Sequence, residues 1–212
     1  MKLIGMLDSP FVRRVAISLQ LLDIEFEHLP LSVFRDFDQF KAINPGVKAP
    51  TLICDDGQIL MDSTLILEYA EAIRSSRRSL MPSSISEVKR ALRVIGLAMV
   101  ANEKSVQIYY EMHLRPEEKQ HQPWVERVSA QLKDVYQLLE NELNARPMST
   151  DPHTLGQAGI TTAVAWYFTQ NQIPGFIDPA DFPELASYSK QLEQLAEFKA
   201  ASFHGDVCEG AQ

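Results

Sequence analysis

Along residues 2–73 the apolar positions switch repeatedly between strand and helix spacing. Lys2–Met6 is a short apolar run, as a buried strand is. From Pro10 to Leu22, Val12, Val15, Ala16, Leu19 and Leu22 recur every three or four residues and predict a helix. A second strand is expected at Glu25–Leu29, then a short or irregular helix at Phe34–Ala42, ended by the turn signal Asn44-Pro45-Gly46. Two brief apolar stretches, Thr51–Cys54 and Gln58–Met61, flank Asp55-Asp56-Gly57 and read as a hairpin. Ser63–Ile73 closes the series as a helix with Ile66, Tyr69, Ala70 and Ile73 on one face.

The resulting order, βαβαββα, is the plan of a thioredoxin-like domain, assigned here to residues 1–78. The polar stretch Ser75–Ser84 breaks the periodicity and reads as a linker. Residues 86–212 then read as an all-helical domain. Ser86 is a candidate N-cap, but Lys89 stands three residues on, so a full capping box is not expected there. An apolar stripe from Val88 through Tyr109 predicts a long helix reaching His113. Pro116 should end it, and Pro123 suits the first turn of the next. Trp124, Val128, Leu132, Val135, Leu139 and Leu143 continue as its antiparallel partner. Gly156–Gln172 is apolar almost all round and belongs at the centre of its domain. A last helix is expected from Pro183 to Phe198.

Bulk properties narrow the chemistry. The 212 residues carry a net charge of −8, which disfavours a nucleic-acid binder. No apolar run approaches the roughly 20 residues of a membrane-spanning helix. Cys54 and Cys208 are the two cysteines; they form no motif, and Cys208 falls in a polar tail (Gly205 to Gln212) expected to fray. With no disulfide framework and no export signal, the cytoplasm is the expected location. No His, Cys, Asp or Glu cluster has metal-ligand spacing, so no metal is expected.

Three places carry candidate chemistry. Ser9-Pro10 opens the first helix, where serine is an ordinary N-cap and proline an ordinary first residue. The functional alternative is that the Ser9 hydroxyl donates to a bound thiolate, at a helix N-terminus that favours negative charge. No cysteine occupies Ser9–Val12, which excludes dithiol chemistry at this turn. Ala49-Pro50 lies after a turn and before a strand; a cis bond there would aim the Ala49 main chain at an extended peptide. Lys48 is either a solvated loop residue or a contact for a ligand carboxylate. Asp62-Ser63 opens the third helix; both are common caps, and side by side they also suit the ammonium and carboxylate of a γ-glutamyl group.

Taken in order, Ser9-Pro10-Phe11-Val12-Arg13, Asn44-Pro45, Lys48-Ala49-Pro50-Thr51-Leu52, Asp56-Gly57, Leu60, Asp62-Ser63, Ile66 and Tyr69, followed by the helical half, resemble a bacterial serine-type member of the cytosolic glutathione S-transferase superfamily. The resemblance spans nearly the whole chain. It implies a thioredoxin-like glutathione-binding domain joined to an all-helical domain that shapes an electrophile site, usually in a homodimer. It further implies thiol activation by Ser9, main-chain pairing by Ala49, a glutathione contact by Lys48, and γ-glutamyl binding by Asp62 and Ser63. Glutathione would be co-substrate, with a small hydrophobic electrophile as its partner. A glutathione-dependent isomerase or lyase on the same site is the alternative, as is a binding module without turnover.

The chain departs from the family pattern at one place. The central helix of the second domain usually opens with Ser or Thr and then Asp three residues on, whereas this chain has Gly156-Gln157-Ala158-Gly159. Losing that box removes a support for folding, with Thr154 as an alternative start. Tyr109, Tyr110, His113, Trp166 and Phe168 are candidates for an electrophile pocket, although aromatics at helical spacing are more often core. His28 and the pair Arg13-Arg14 read most simply as surface residues or the edge of an anion-attracting field.

Overall fold

The computed structural model describes residues 1–75, 78–205 and 207–208. It divides into two compact units, one formed by residues up to Leu80 together with the segment from Gln194 onward, the other by Met81–Glu193.

In the first unit, β1 (Lys2–Ile4), β2 (Glu27–Leu29), β3 (Thr51–Ile53) and β4 (Ile59–Met61) form one sheet in the order β2-β1-β3-β4. β1 runs parallel to β2 and antiparallel to β3, with Leu3 opposite both His28 and Leu52. The strands are only three residues long, so pairing alone cannot hold them. Burial does: Leu3, Ile4 and Leu52 are sealed from solvent with Val12, Val15, Ala16 and Leu19 of α1 (Pro10–Leu21) and Ile66 and Ala70 of α3 (Ser63–Ile73). The short α2 (Phe37–Ile43) buries only Phe40. This is the expected mixed sheet-and-helix order.

The second unit is helical. α4 (Ile85–His113) and α5 (Gln122–Ala145) pack against each other, α6 (Gln157–Gln172) packs on α4, and α7 (Pro183–Leu192) packs on α5 and α6. α6 is buried nearly all round, as its composition requires. Trp166, Tyr136 and Phe182 meet edge-on or tilted at its centre, so Trp166 and Phe168 belong to the core.

Several helix ends are satisfied by side chains far away in sequence. Buried Glu140 of α5 accepts from Glu184 N (2.8 Å) and Leu185 N (2.9 Å), the first free amides of α7, whose own N-cap is Phe182. Glu111 does the same for His121 N at the start of α5.

Three expectations change in the structure, while the start of α6 at Gly156 stands. Ser84, not Ser86, caps α4; its Oγ accepts from Glu87 N, and Ser84–Glu87 is the S-x-x-E spacing that sequence reading passed over. α6 starts after Gly156 without a side-chain cap, while Thr154 bonds Ser149 instead of opening the helix. The last helix is two, α7 and α8 (Ala196–Ala200), interrupted at residues 193–195. Cys208 is not frayed: it is 3% exposed, and its amide is bonded to His28. Ser76, Arg77, Asp206 and 209–212, parts of the expected linker and tail, lie outside the described residues.

Candidate functional site

The site residues sit in the first unit, on the first turns of α1 and α3 and on the 44–51 loop. Ser9 occupies the N-cap position of α1 with extended backbone, its carbonyl accepting from Arg13 N at 2.9 Å. Pro10 takes the first helical position. The Ser9 side chain makes no cap hydrogen bond. Its hydroxyl is therefore not committed to the helix it opens, and the simple side-chain-cap explanation of Ser9 is set aside.

The loop before β3 is locked by a residue that sequence reading used as a turn signal and as part of the family resemblance, without a structural role. Asn44, 2% exposed, donates through Nδ2 to Thr51 Oγ1 (2.8 Å) and accepts from Gly46 N (3.0 Å). Thr51 Oγ1 in turn donates to the Lys48 carbonyl at 2.6 Å. The Ala49-Pro50 peptide is cis. Lys48 is exposed, with Nζ 6.0 Å from the centre of the Phe11 ring on α1.

Asp62 is the N-cap of α3, held at positive φ (73°), and its Oδ1 accepts from Thr64 N at 2.8 Å. Left-handed backbone at a residue other than Gly or Asn is uncommon and often marks a functional position. Ser63 is buried beneath it, and its Oγ accepts from Arg14 Nη1 at 3.0 Å. Arg14 thus ties the start of α3 to α1, the helix that Ser9 opens. Burial pulls the Arg14 guanidinium down to about 10, with the Asp62 carboxylate opposing that shift.

Reading Arg13, Arg14 and His28 as surface residues is wrong for all three. Arg13 is 1% exposed and donates to the carbonyls of Ala201 (2.8 Å, through Nε) and Phe198 (3.2 Å), closing the end of α8. His28 sits between Gly5 O, 2.8 Å from Nε2, and Cys208 N, 3.0 Å from Nδ1. A carbonyl only accepts and an amide only donates, so the ring is neutral with its proton on Nε2. Burial pushes His28 below the usual histidine range, while the Gly5 carbonyl pulls the other way. No sequence signal marks these residues as buried; charged side chains at helical spacing read as a solvated face.

Gly5 joins the walls of the site. Its φ is +138°, and a Cβ placed there would lie 2.6 Å from Val12 Cγ2 and 3.2 Å from Ala49 Cβ. The end of β1, the first turn of α1 and the cis-proline loop converge on this one position.

Known proteins resemble the first unit and the chain as a whole. Residues 3–78 match the family model of the glutathione S-transferase N-terminal domain. A glutathione transferase family member from Pseudomonas fluorescens Pf-5, solved with bound S-(propanoic acid)-glutathione, superposes with a TM-score of 0.78 at 28% identity, over 95% of this chain and 98% of that one. Residues 3–78 thus match a glutathione S-transferase N-terminal domain, and the chain as a whole is similar to solved glutathione transferases. The GST-like protein YibF of Escherichia coli K12 is 28% identical over 91% of this chain and 93% of its own length. Maleylacetoacetate isomerase of Pseudomonas aeruginosa is 34% identical over 76 residues, 34% of this chain and 36% of that protein. Among the described residues of this chain, no cluster of three His, Cys, Asp or Glu suits a metal, and no helix is long and apolar enough to cross a membrane.

Proposed function

We propose that this protein is a serine-type glutathione transferase, in which the Ser9 hydroxyl donates to the glutathione thiolate for attack on a small hydrophobic electrophile. The observation that carries this reading is the Ser9 side chain, which opens α1 without capping it. A cap bond would tie the oxygen to the helix as an acceptor; without it the hydroxyl can turn its proton toward an incoming anion at the N-terminus of the twelve-residue α1, which favours negative charge. Asp62 would pair with the γ-glutamyl ammonium through a carboxylate with acceptor capacity beyond its bond to Thr64 N. Ser63 would donate to the γ-glutamyl carboxylate. The Ala49 main chain would pair with the cysteinyl residue, and Lys48 would meet the glycyl carboxylate.

Ser9 has a bounded effect. A hydrogen bond to a charged group contributes about 1.5–3 kcal/mol, or roughly 1–2 pKa units. A thiol of pKa about 8.5 would fall to about 6.5–7.5, raising the thiolate at pH 7 from a few per cent to as much as about three-quarters. Holding the two substrates together must supply much of the remaining acceleration. The homodimer expected of this family would draw on the exposed apolar side chains Ile59, Met61 and Leu65 of the N-terminal unit. A cytoplasmic location suits Cys54 and Cys208, both buried free thiols.

The test is a pH titration of bound glutathione, following thiolate by its ultraviolet absorbance. Wild type should form thiolate near neutrality, and Ser9→Ala should bind glutathione but titrate about 1–2 units higher. Unchanged titration in Ser9→Ala would remove Ser9 from catalysis. The match to maleylacetoacetate isomerase favours a second reading, an isomerase that returns its glutathione. Consumption of glutathione during turnover separates the two.

A further inference from the structure

Arg14 is 1% exposed, and a cation so deeply placed is costly unless it is hydrogen-bonded. Its Nη1 points to two hydroxyls at the start of α3, Ser63 Oγ at 3.0 Å and Thr64 Oγ1 at 3.3 Å. A guanidinium offers donors only, so both oxygens are acceptors on that side. A serine or threonine hydroxyl has a single proton. With the inner side occupied by the N–H groups of Arg14, that proton is left for a partner elsewhere. The guanidinium thereby biases the polarity of the α3 N-terminus: neither hydroxyl can turn its proton inward, so each has that proton to donate on its other side.

We propose that Arg14 is a positioning residue for glutathione, fixing Ser63 and Thr64 from within the N-terminal unit as hydroxyl donors to the α-carboxylate of the γ-glutamyl group. The proposal rests on the reading that Asp62 and Ser63 hold that end of the tripeptide. Arg14 does not touch the ligand; it acts through the two hydroxyls. The division of labour follows from the side chains present. Asp62, an acceptor, faces the ammonium, while the hydroxyls held by Arg14 face the carboxylate carried on the same carbon. Without the guanidinium, a hydroxyl proton would be free to turn inward and present a lone pair to the ligand carboxylate.

Binding of two tripeptides, measured by calorimetry, tests this. One is glutathione. The other is 4-aminobutyryl-cysteinyl-glycine, which keeps the ammonium and lacks the α-carboxylate. Arg14→Met should weaken glutathione about tenfold to a hundredfold, the range for hydrogen bonds to a charged group, and change the analogue less than about twofold. Arg14→Lys, still a donor-only cation, should fall between wild type and Arg14→Met. The pKa of the bound thiol should stay where Ser9 sets it. Equal losses for both tripeptides would mean that Arg14 serves packing alone and would overturn the proposal, as would unchanged glutathione affinity in Arg14→Met.

Should Arg14→Met not fold, Arg14→Lys carries the test by itself and combined with Ser63→Ala. Its effect on glutathione should shrink when Ser63 is already alanine, and equal effects in both backgrounds would overturn the proposal. Failure of wild type to bind glutathione at all would instead refute the functional reading first, and this proposal with it.

Discussion

Gly5→Ala should separate stability from site geometry. At φ +138° a side chain is strained, a cost of order 1–3 kcal/mol. The new methyl would also lie 2.6 Å from Val12 Cγ2, where carbon atoms ordinarily rest about 3.5–4.0 Å apart. Val12 cannot give way easily, because it is fully buried in α1 and β-branched. Overpacking of this kind typically costs about 1–3 kcal/mol. Since a shift of α1 would relieve part of both terms, the two should not add fully, and about 2–5 kcal/mol is expected. A domain of ordinary stability would remain folded after that loss.

The displaced neighbours are the reason binding should suffer too. Val12 lies in the first turn of α1 behind Ser9, and Ala49 is the residue expected to pair with the cysteinyl main chain. Urea denaturation followed by calorimetry with glutathione is the assay. Gly57→Ala is the control: its φ is +85°, but no atom lies within 4 Å of the added methyl. It should cost about 1–2 kcal/mol from backbone strain and leave binding intact. A Gly5→Ala protein as stable as Gly57→Ala, with unchanged affinity, would refute the argument that Gly5 is where three walls of the site meet.

Two further outcomes are expected. His28 has a folded-state pKa below its ordinary value of 6.5, so the unfolded chain binds more protons as pH falls through that value. Its contribution to stability should be fully present above about pH 6.5 and lost progressively below it; His28→Gln should flatten that part of the stability–pH profile, and parallel profiles would contradict the assignment. In the helical unit, Tyr136 donates to Ala165 O (3.0 Å) and shares a hydrogen bond with Thr169 Oγ1 (2.6 Å), which meets Ser105 Oγ at 2.7 Å. One proton per hydroxyl makes this a one-way chain from Ser105 to Ala165. Tyr136→Phe should therefore cost about 1–3 kcal/mol in denaturant unfolding, and a loss under about 0.5 kcal/mol would show the chain to be dispensable.

The sequence alone determined the order of elements up to Ile73 and the places of Ser9, Asp62 and Ser63 at helix starts. Period changes between Lys2 and Ile73 are local, and so are the signals of Ser9-Pro10, Asn44-Pro45-Gly46 and Asp62-Ser63, because caps and turns act within a few residues. Only the tertiary structure decided what the charged and polar side chains do. Arg13 meets Ala201 across 188 residues, His28 meets Cys208 across 180, and Glu140 caps a helix that begins more than forty residues later. Hydrophobic periodicity scores such residues as polar and assigns them to solvent, since it holds no information about distant carbonyls and amides that need partners. The hydroxyl of Ser9 shows the same division. Its place at the start of α1 was legible from Ser-Pro, but whether the side chain caps the helix is a rotamer choice that local sequence does not fix, and in the structure it makes no cap bond.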